Sequence, residues 1–510
     1  MMRPEPFEGY SLLLRVIVYG VVPLFTVWQF FRLRRGLHVF QLEGYKRRRF
    51  LEWCTTNRSR ALFLGAPTAK KPLAMTGRAW RILVVATLLS AGAIWAPWLA
   101  AHLTVGWPAD IAVWAVMTLA VFFGAPYLLV AADLVLVPIQ AAINSRFERA
   151  ARTRLENFAP TVIGVTGSFG KTSTKLAIAS LVGPPGSAYA TPGSFNTPMG
   201  VTRAINEGLS KSHRYFVVEM GAYGEGEIAE LCALVRPRIG VLTAIGPAHL
   251  ERFGSLEAIG RAKYEIVSSL PADGIAVMNT DDPKVRALAD ETSHVRVVRY
   301  GIDLEGAPDI TARDVTTSAE GTRFKIVEQA GGQEADVSTR LLGRHAIGHI
   351  LAGAAVAHSA GRSFAQLVEP IAQLEPVEHR LQLIQGAGGV TVIDDAFNSN
   401  PDGAAAALEV LSSIDGNKKV VVTPGIIELG ELQREENERF GERAAAVADV
   451  LIVVARLNRD AIVAGAERNG GATEVITVDS LDEATARLRG ILSGGDVVLF
   501  ENDLPDQYEN

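Results

Sequence analysis

The feature that most constrains the fold is a strand, turn and helix pattern at residues 161–175, TVIGVTGSFGKTSTK. An apolar strand that runs directly into a glycine-rich turn and a helix is typical of a parallel sheet whose turns bind ligands at the carboxyl edge. A strict GxxxxGK[ST] pattern requires a glycine at Val165, whereas Gly164 stands one place too early. A glycine turn without a ligand is the alternative, but the closing Lys-Thr pair favours phosphate binding.

Such a turn suits a phosphate chain because its backbone N–H groups and the positive end of the following helix face an anion. We expect Lys171 to neutralise β- and γ-phosphate oxygens and the Thr172 hydroxyl to bind Mg²⁺. The candidate nucleotide contacts in the turn are Gly167, Ser168, Phe169, Gly170, Lys171, Thr172 and Ser173.

Strand and helix patterns alternate over the following residues, which predicts an α/β fold with mainly parallel sheets. One series follows the glycine turn, and a second begins near residue 388 with VTVIDDAFN. We therefore predict three domains: an N-terminal region at residues 1–150, a P-loop parallel-sheet ATPase domain at 151–370 and a Rossmann-like α/β domain at 371–510.

The N-terminal region differs in kind because it contains long uncharged runs. Residues 82–101 and 111–132 are each long enough to cross a hydrocarbon core of ~30 Å. A shorter run at 16–31 could also span, lie in the interface or belong to a cleaved signal peptide. Lys and Arg at 32–81 and 146–154 place both flanks in the cytoplasm. The sequence predicts a multi-pass anchor of two or three transmembrane helices in the cell (inner) membrane, with cytoplasmic catalytic domains.

Composition excludes some classes of partner. The net charge is -5 and 21% of residues are charged, so a globally basic nucleic-acid binder is not expected. Cys54 and Cys232 form neither a CxxC pair nor a Cys/His cluster, which argues against a disulfide scaffold and a zinc site.

Two polar residues follow strands of the first series. Glu219 ends the strand in FVVEMGA, where a carboxylate either binds a metal or meets solvent. His249 follows GVLTAIG, and a single histidine is more often a hydrogen-bonded structural residue than a ligand. Position alone therefore makes both residues candidates and assigns neither.

Lys263 interrupts an apolar helical stripe. The stripe consists of Leu256, Ile259, Ile266, Val267 and Leu270. An inward ammonium either extends its head to solvent along a packed alkyl stem or is paired or altered at an active site.

Paired acids end the first strand of the second series. Asp394 and Asp395 precede a turn that contains Asn398, Asn400 and Pro401. Such acids suit a metal or ribose hydroxyls, although Asp, Asn and Pro are also ordinary turn formers. The spacing leaves both interpretations open.

Taken together, eight blocks resemble the Mur ligase family, the ATP-dependent amide ligases of cell-wall peptide synthesis, and most closely the type that adds D-alanyl-D-alanine. The blocks are TGSFGKTSTK, TPGSFNTPMGV, VVEMGAYGEGEIAEL, AHLERFGSLEAIGRAKYEI, NTDDP, EHRLQL, IDDAFNSNP and TPGIIELGE. They cover residues 160–505 in the family's order, which is more specific than any single block.

The resemblance implies roles for matching residues of the middle domain. The glycine turn would bind ATP phosphates, with Thr172 and Glu219 on Mg²⁺ and Asn196 facing the phosphates. His249 would serve a second Mg²⁺, and Lys263 matches the lysine that family members carbamylate. Lys171, His249 and Lys263 are accordingly the expected catalytic residues.

The C-terminal domain would complete the nucleotide site. Arg380 and Asp395 would face the nucleotide, and Asn398 and Asn400 lie in the same loop. The segment TPGIIELGE would line the side from which the amine enters.

The implied reaction transfers the γ-phosphoryl group of ATP to a substrate carboxylate, after which an amine displaces phosphate from the acyl phosphate. The carboxylate would belong to a cell-wall precursor or a lipid-linked molecule at the membrane, and the amine to an amino acid or dipeptide. One alternative is a non-catalytic nucleotide-binding protein that recruits wall-synthesis partners, and another is a transport-coupled ATPase. The retained metal and lysine positions argue against the first, and the scarcity of charges in the apolar runs argues against the second.

Three features depart from the family pattern. Ala346 and His349 stand where the family has asparagines near the adenine. Phe397 replaces a tyrosine, and FENDLPDQYEN replaces the usual Lys-Gly-Ser ending. Apolar runs occupy the place of the domain that holds the UDP-sugar.

Overall fold

The computed structural model describes residues 25, 27–58, 61, 72–106, 109–318, 320–397, 399–454 and 456–503. The chain divides into two compact units, Met1–Arg146 and Phe147–Asn510. The apolar run predicted at 16–31 lies mostly outside the described residues, and Asn398 lies outside them as well.

The labelled helices are α1 Arg47–Thr56, α2 Gly77–Thr104, α3 Ala109–Phe123, α4 Ala125–Phe158, α5 Lys171–Leu181, α6 Pro198–Gly208, α7 Glu227–Val235, α8 Leu250–Phe253, α9 Leu256–Ser268, α10 Pro283–Glu291, α11 Arg344–Ser359, α12 Val368–Ala372, α13 Pro401–Ser413, α14 Gln433–Val447, α15 Arg459–Arg468 and α16 Leu481–Ile491. The strands are β1 Thr161–Thr166, β2 Ala188–Ala190, β3 Tyr215–Glu219, β4 Ile239–Leu242, β5 Ile275–Asn279, β6 Arg296–Tyr300, β7 Ile310–Ser318, β8 Gly321–Glu328, β9 Glu334–Thr339, β10 Gln382–Gln385, β11 Thr391–Asp395, β12 Lys419–Thr423, β13 Val450–Val454, β14 Glu474–Val478 and β15 Val497–Glu501.

The first unit is helical in its described part. Asp133 on α4 is 4% exposed and pairs with Arg47 at 2.8 Å and with Arg78 at 3.0 Å. In the described part, α2 and α4 are long and apolar enough to cross a membrane, whereas α3 is shorter. The predicted span at 111–132 is not one helix, because the chain leaves the helical conformation at Gly124 between α3 and α4.

The second unit contains two sheets, and the first has nine strands. Their order is β2-β3-β1-β4-β5-β6-β7-β8-β9. The pairs from β2 to β7 are parallel and the pairs β7–β8 and β8–β9 are antiparallel. Strand β1 is buried at five of its six positions. Its sequence lacks polar alternation because a parallel sheet with both faces covered buries successive side chains.

Apolar cores lie on the two faces of this sheet. One core includes residues of α5 and α11, such as Ile178 and Ile350, and the other includes residues of α7 and α9, such as Leu231 and Ile266. Helices on both faces leave the carboxyl edge of the strands free for ligands, which is where the glycine turn stands.

The second sheet has six strands in the order β10-β11-β15-β12-β13-β14. Only the β10–β11 pair of this sheet is antiparallel among the described pairings. The predicted α/β class with parallel sheets is confirmed. The predicted domain limit at residue 370 stays a prediction.

Candidate active site

The glycine turn joins β1 to α5 and is braced by residues that follow β4. Ser168 Oγ donates to the carbonyl of Gly246 at 2.9 Å and accepts from its N–H at 3.0 Å. Thr243 Oγ1 donates to the carbonyl of Phe169 at 2.6 Å. Gly170 has φ +78°, a conformation that favours glycine, immediately before α5 begins. The turn is thus held open at the N-terminus of an 11-residue helix.

Lys171 is held across this turn. Its Nζ donates to the carbonyls of Gly167 at 2.7 Å and Ser168 at 3.0 Å. Burial lowers the pKa of Lys171 to about 8, an effect that the charge of Glu219 opposes and that of Arg380 reinforces. Most of the lysine is therefore still cationic at neutral pH, as charge neutralisation on a phosphate requires.

Glu219, the last residue of β3, is the centre of a buried polar cluster and is 2% exposed. Its Oε2 accepts from Thr172 Oγ1 at 3.0 Å and from Lys175 Nζ at 3.1 Å. Its Oε1 accepts from Asn196 Nδ2 at 3.1 Å. Three residues predicted for Mg²⁺ and phosphate therefore lie together, and their oxygen atoms are of the kind that Mg²⁺ prefers.

Lys175 was missing from the predicted site, although it forms the one buried ion pair of this cluster among the described residues. The residue is 1% exposed, and its Nζ also donates to Gly193 O at 2.6 Å. A signal was present in KTSTK, because four residues make about one helical turn and put Lys175 on the same side as Lys171. Ser173, which was predicted, lies on the same helix and is partly exposed.

Lys263 on α9 is buried, with 3% of its surface exposed. Its Nζ donates to Ala222 O at 3.4 Å and lies 5.6 Å from the centre of the Phe253 ring. Burial lowers the pKa of Lys263 to about 7, and the charge of Lys171 lowers it further. The side chain therefore does not extend its head to solvent, and its amine is neutral in a large fraction of molecules at neutral pH.

His249 contacts the C-terminal part of the second unit. Its Nδ1 forms a short hydrogen bond with Glu428 Oε2, and Arg252 Nη2 donates to Glu428 Oε1 at 3.1 Å. The ring packs edge-on against Tyr223 with centroids 4.8 Å apart. Glu428 belongs to the predicted amine-side segment TPGIIELGE, so this contact joins that segment to the P-loop domain. The role of His249 at a second Mg²⁺ stays a prediction.

Of the residues predicted to bind the nucleotide from the C-terminal domain, Arg380 lies near other site residues, whereas Asn400 has a local structural role. The Arg380 guanidinium lies 4.5 Å from the centre of the Phe397 ring. Burial lowers the pKa of Arg380, while the charges of Asp395 and Glu219 oppose the shift, so both carboxylates lie within its electrostatic reach. Asn400, by contrast, caps α13 by accepting from the Gly403 N–H at 3.0 Å. The N-cap accounts for this asparagine locally.

His349, which replaces a family asparagine, packs on the glycine turn. Its Nδ1 and Thr174 Oγ1 are 2.9 Å apart, and a Cβ placed on Gly170 would lie 2.7 Å from its Cε1. Burial lowers the pKa of His349 to about 3 and that of His345 to about 4, so both rings are neutral at physiological pH. Ala346, the other replacement, is buried.

A P-loop domain with a buried polar cluster around one carboxylate, joined to a second parallel α/β domain, defines a class of nucleotide-dependent enzymes that handle a phosphate chain with a metal ion. The comparisons refine this class. The Mur ligase middle domain matches residues 165–357, and the Mur ligase glutamate ligase domain matches residues 379–501.

Relatives and solved structures match the same family as these two domain models. A UDP-N-acetylmuramoyl-tripeptide--D-alanyl-D-alanine ligase of Mycobacterium bovis is 37% identical over 362 residues, which are 67% of this chain and 70% of the relative. The structure of MurF from Thermotoga maritima in complex with ADP has a TM-score of 0.64 and 28% identity, and the match covers 72% of this chain and 82% of that one. The structure of MurF from Acinetobacter baumannii has a TM-score of 0.62 and 28% identity, and the match covers 71% of this chain and 77% of that one.

The chain belongs to the Mur ligase family. It is an ATP-dependent acid–amino-acid ligase that acts on a cell-wall precursor, and its cofactors are ATP and Mg²⁺, as predicted.

The predicted multi-pass localisation in the cell membrane is wrong. The matched relative and the two matched structures carry the names of ligases of cell-wall precursors, and these names do not describe membrane proteins. The support for spans in the described part of the chain is two apolar helices, α2 and α4. Core helices of soluble proteins have the same length and composition, so hydropathy did not distinguish the two cases. A lipid-linked substrate was expected because of the predicted membrane anchor, so that expectation is no longer supported.

Proposed function

We propose that the chain joins the carboxylate of a UDP-N-acetylmuramoyl-tripeptide-type precursor to the amine of D-alanyl-D-alanine or a related dipeptide, through an acyl phosphate. The observation that supports this most is the Glu219 cluster beside the glycine turn, since it combines a phosphate cradle with oxygen ligands for a metal. The names of the matched relatives support the two substrates.

Lys171 and the turn would bind and orient the phosphate chain of ATP. Thr172 and Glu219 would hold Mg²⁺, because a hydroxyl and a carboxylate beside a phosphate site match its oxygen preference. When bound, Mg²⁺ supplies positive charge that stabilises the phosphoryl group in transfer. Lys175 would hold the Glu219 carboxylate in place through their ion pair.

Lys263 would act as a carbamate. The neutral amine attacks CO₂, a C–N bond forms and one proton leaves the nitrogen to solvent, which converts the neutral amine into a carbamate anion. Two observations support this assignment: among the described residues the amine makes one long hydrogen bond, to Ala222 O, and burial lowers its pKa to about 7. An anion there would face the positive charge of Lys171.

The experiment that tests the function measures phosphate release from ATP and Mg²⁺ with UDP-N-acetylmuramoyl-tripeptide and D-alanyl-D-alanine. We expect release that requires both substrates, together with the mass of the joined product. Lys171→Ala should abolish it, and the exposed Lys211→Ala should not. ATP binding without release in the presence of any cell-wall peptide and dipeptide would overturn the proposed function.

A further inference from the structure

Two carboxyl groups face each other at the carboxyl edge of the second sheet. Asp395 ends β11 and Glu501 ends the neighbouring parallel strand β15, and the two residues are register partners. Glu501 is 1% exposed. Adjacent parallel strands lie about 4.8 Å apart, so side chains of register partners are neighbours on one face.

The two oxygen atoms of Glu501 have different surroundings. Oε1 accepts a short hydrogen bond from Ser399 Oγ. Oε2 is buried and meets no hydrogen-bond partner among the described residues. The frame around Glu501 is itself fixed, since Asn502 accepts from the Ser399 N–H at 3.2 Å and donates to Gly425 O at 2.6 Å. An ionised Oε2 in this place would be a buried anionic oxygen without a donor, which is strongly unfavourable.

Asp395 is better prepared to carry the negative charge. Its Oδ1 accepts from the Leu381 N–H at 3.1 Å, and the Arg380 guanidinium acts on it with positive charge. Within the described part of the chain, Asp394 also acts on Asp395 with negative charge, and its Oδ2 lies 2.7 Å from His379 Nδ1. Among the residues that the structure describes, Arg380 is the cation whose charge acts on Asp395, and one cation does not balance two adjacent ionised carboxylates.

One proton on Glu501 resolves both difficulties. Placed on Oε2, it gives that atom a partner and removes the second negative charge. The pKa values agree in direction: burial raises the pKa of Glu501 well above its usual range, and the negative charge of Asp395 raises it further, while the hydrogen bond from Ser399 opposes the shift. Burial also raises the pKa of Asp395 to about 6, and the hydrogen bond from the Leu381 N–H and the charge of Arg380 oppose that shift.

We propose that Glu501 is a positioning residue for nucleotide binding: a neutral carboxylic acid whose Oε2–H donates to the ionised carboxylate of Asp395 and holds it in place. The proposal rests on the proposed function in one respect, that Asp395 faces the nucleotide. The sequence signal was the ending FENDLPDQYEN, which stands in place of the Lys-Gly-Ser ending of the family pattern.

Infrared spectroscopy tests the proton without any substrate. At neutral pH the wild-type protein should show the carbonyl stretch of a protonated carboxylic acid, and Glu501→Gln should lack it. Glu474→Gln makes the same change at an exposed strand end of the same sheet and should keep the band. A spectrum without the band in the wild-type protein would overturn the proposal, whatever the enzyme does with ATP.

Calorimetric ATP binding tests the positioning role. Glu501→Ala leaves the pair without its donor and should raise the Kd for ATP by roughly 5- to 100-fold. Glu501→Gln keeps an N–H donor for Asp395 and should recover most of this loss. In the wild-type protein the Kd should rise as Glu501 ionises at alkaline pH, because two adjacent anions then face the nucleotide, whereas this rise should be missing in Glu501→Gln.

The outcomes separate the two proposals. If the infrared band is present but Glu501→Ala binds ATP as tightly as the wild-type protein, the positioning role is wrong and the ligase function stands. If the wild-type protein binds no ATP, the positioning role and the ligase function both fail. A Glu501→Gln variant as weak as Glu501→Ala would also contradict the donor role.

Discussion

Replacing Lys175 by methionine removes the ammonium group that faces Glu219 in the interior of the P-loop domain. The two side chains are 1% and 2% exposed and their N–O distance is 3.1 Å. Methionine keeps most of the alkyl volume, so the change removes charge rather than packing. The carboxylate of Glu219 would then be buried without a cation in hydrogen-bond contact, and Gly193 O would lose a donor at 2.6 Å.

The size of the effect follows from this geometry. Removing one partner of a buried ion pair costs about 3–5 kcal/mol. Glu219 keeps its hydrogen bonds from Thr172 and Asn196, which stabilise the remaining anion, so we expect the lower end, about 3 kcal/mol. In Lys175→Met with Glu219→Gln no buried charge is left alone. The double variant should therefore be more stable than Lys175→Met, with a coupling free energy of at least about 1.5 kcal/mol.

Urea unfolding followed by far-UV circular dichroism measures these free energies. Tryptophan fluorescence is unsuitable because all seven tryptophans lie at or before Trp114, in the first unit. The exposed Lys211→Met is the matched control and should change the free energy of unfolding by less than about 0.5 kcal/mol.

Two results would refute the reasoning. One is a Lys175→Met protein whose free energy of unfolding lies within about 1 kcal/mol of the wild-type value, since the ion pair would then contribute little. The other is a double variant that is no more stable than Lys175→Met. In that case the loss would come from the missing ammonium contacts rather than from the unpaired carboxylate.

Three further changes probe the site. With its pKa lowered to about 7, Lys263 should add ¹³CO₂ as pH rises, giving a ¹³C carbamate signal that grows from about pH 6 to about pH 8 and is missing in Lys263→Met; a signal unaffected by the substitution would contradict this. Gly170 has φ +78°, and a Cβ added there would lie 2.7 Å from a carbon of His349, so Gly170→Ala should weaken ATP binding at least about tenfold in calorimetry. Gly226→Ala is the control, because Gly226 has a similar φ of +89° and its added Cβ meets open space. Equal ATP affinities of the two variants would refute the steric argument. Glu428→Gln should weaken the contact between the ligase domains and enlarge the radius of gyration in small-angle scattering, and an unchanged radius would count against that role.

Local patterns carried the prediction of the fold. Strands such as β1, β3 and β12 were visible because a covered parallel strand is a short apolar run, and the glycine turn was visible because its residues are contiguous. Strand β2 escaped notice because it has three residues, which are too few for a periodic signal.

Hydropathy also produced the error in localisation. An apolar helix of 28 residues has the same composition whether it crosses a bilayer or is a core helix of a soluble protein. The difference lies in what surrounds the helix, which no single segment of sequence records. The matched relatives and structures, rather than the segment itself, corrected the prediction.

The sequence by itself determined the α/β class and the glycine turn between β1 and α5, because each depends on neighbours in the chain. Only the tertiary structure paired Lys175 with Glu219, His249 with Glu428, and Glu501 with its register partner. Lys175 and Glu219 are 44 residues apart in the sequence, and His249 and Glu428 are 179 apart. Glu501 and its register partner Asp395 are about a hundred residues apart. Long-range pairs of this kind leave no periodic trace, since folding brings them together through the order of strands in a sheet and the packing of one domain on another.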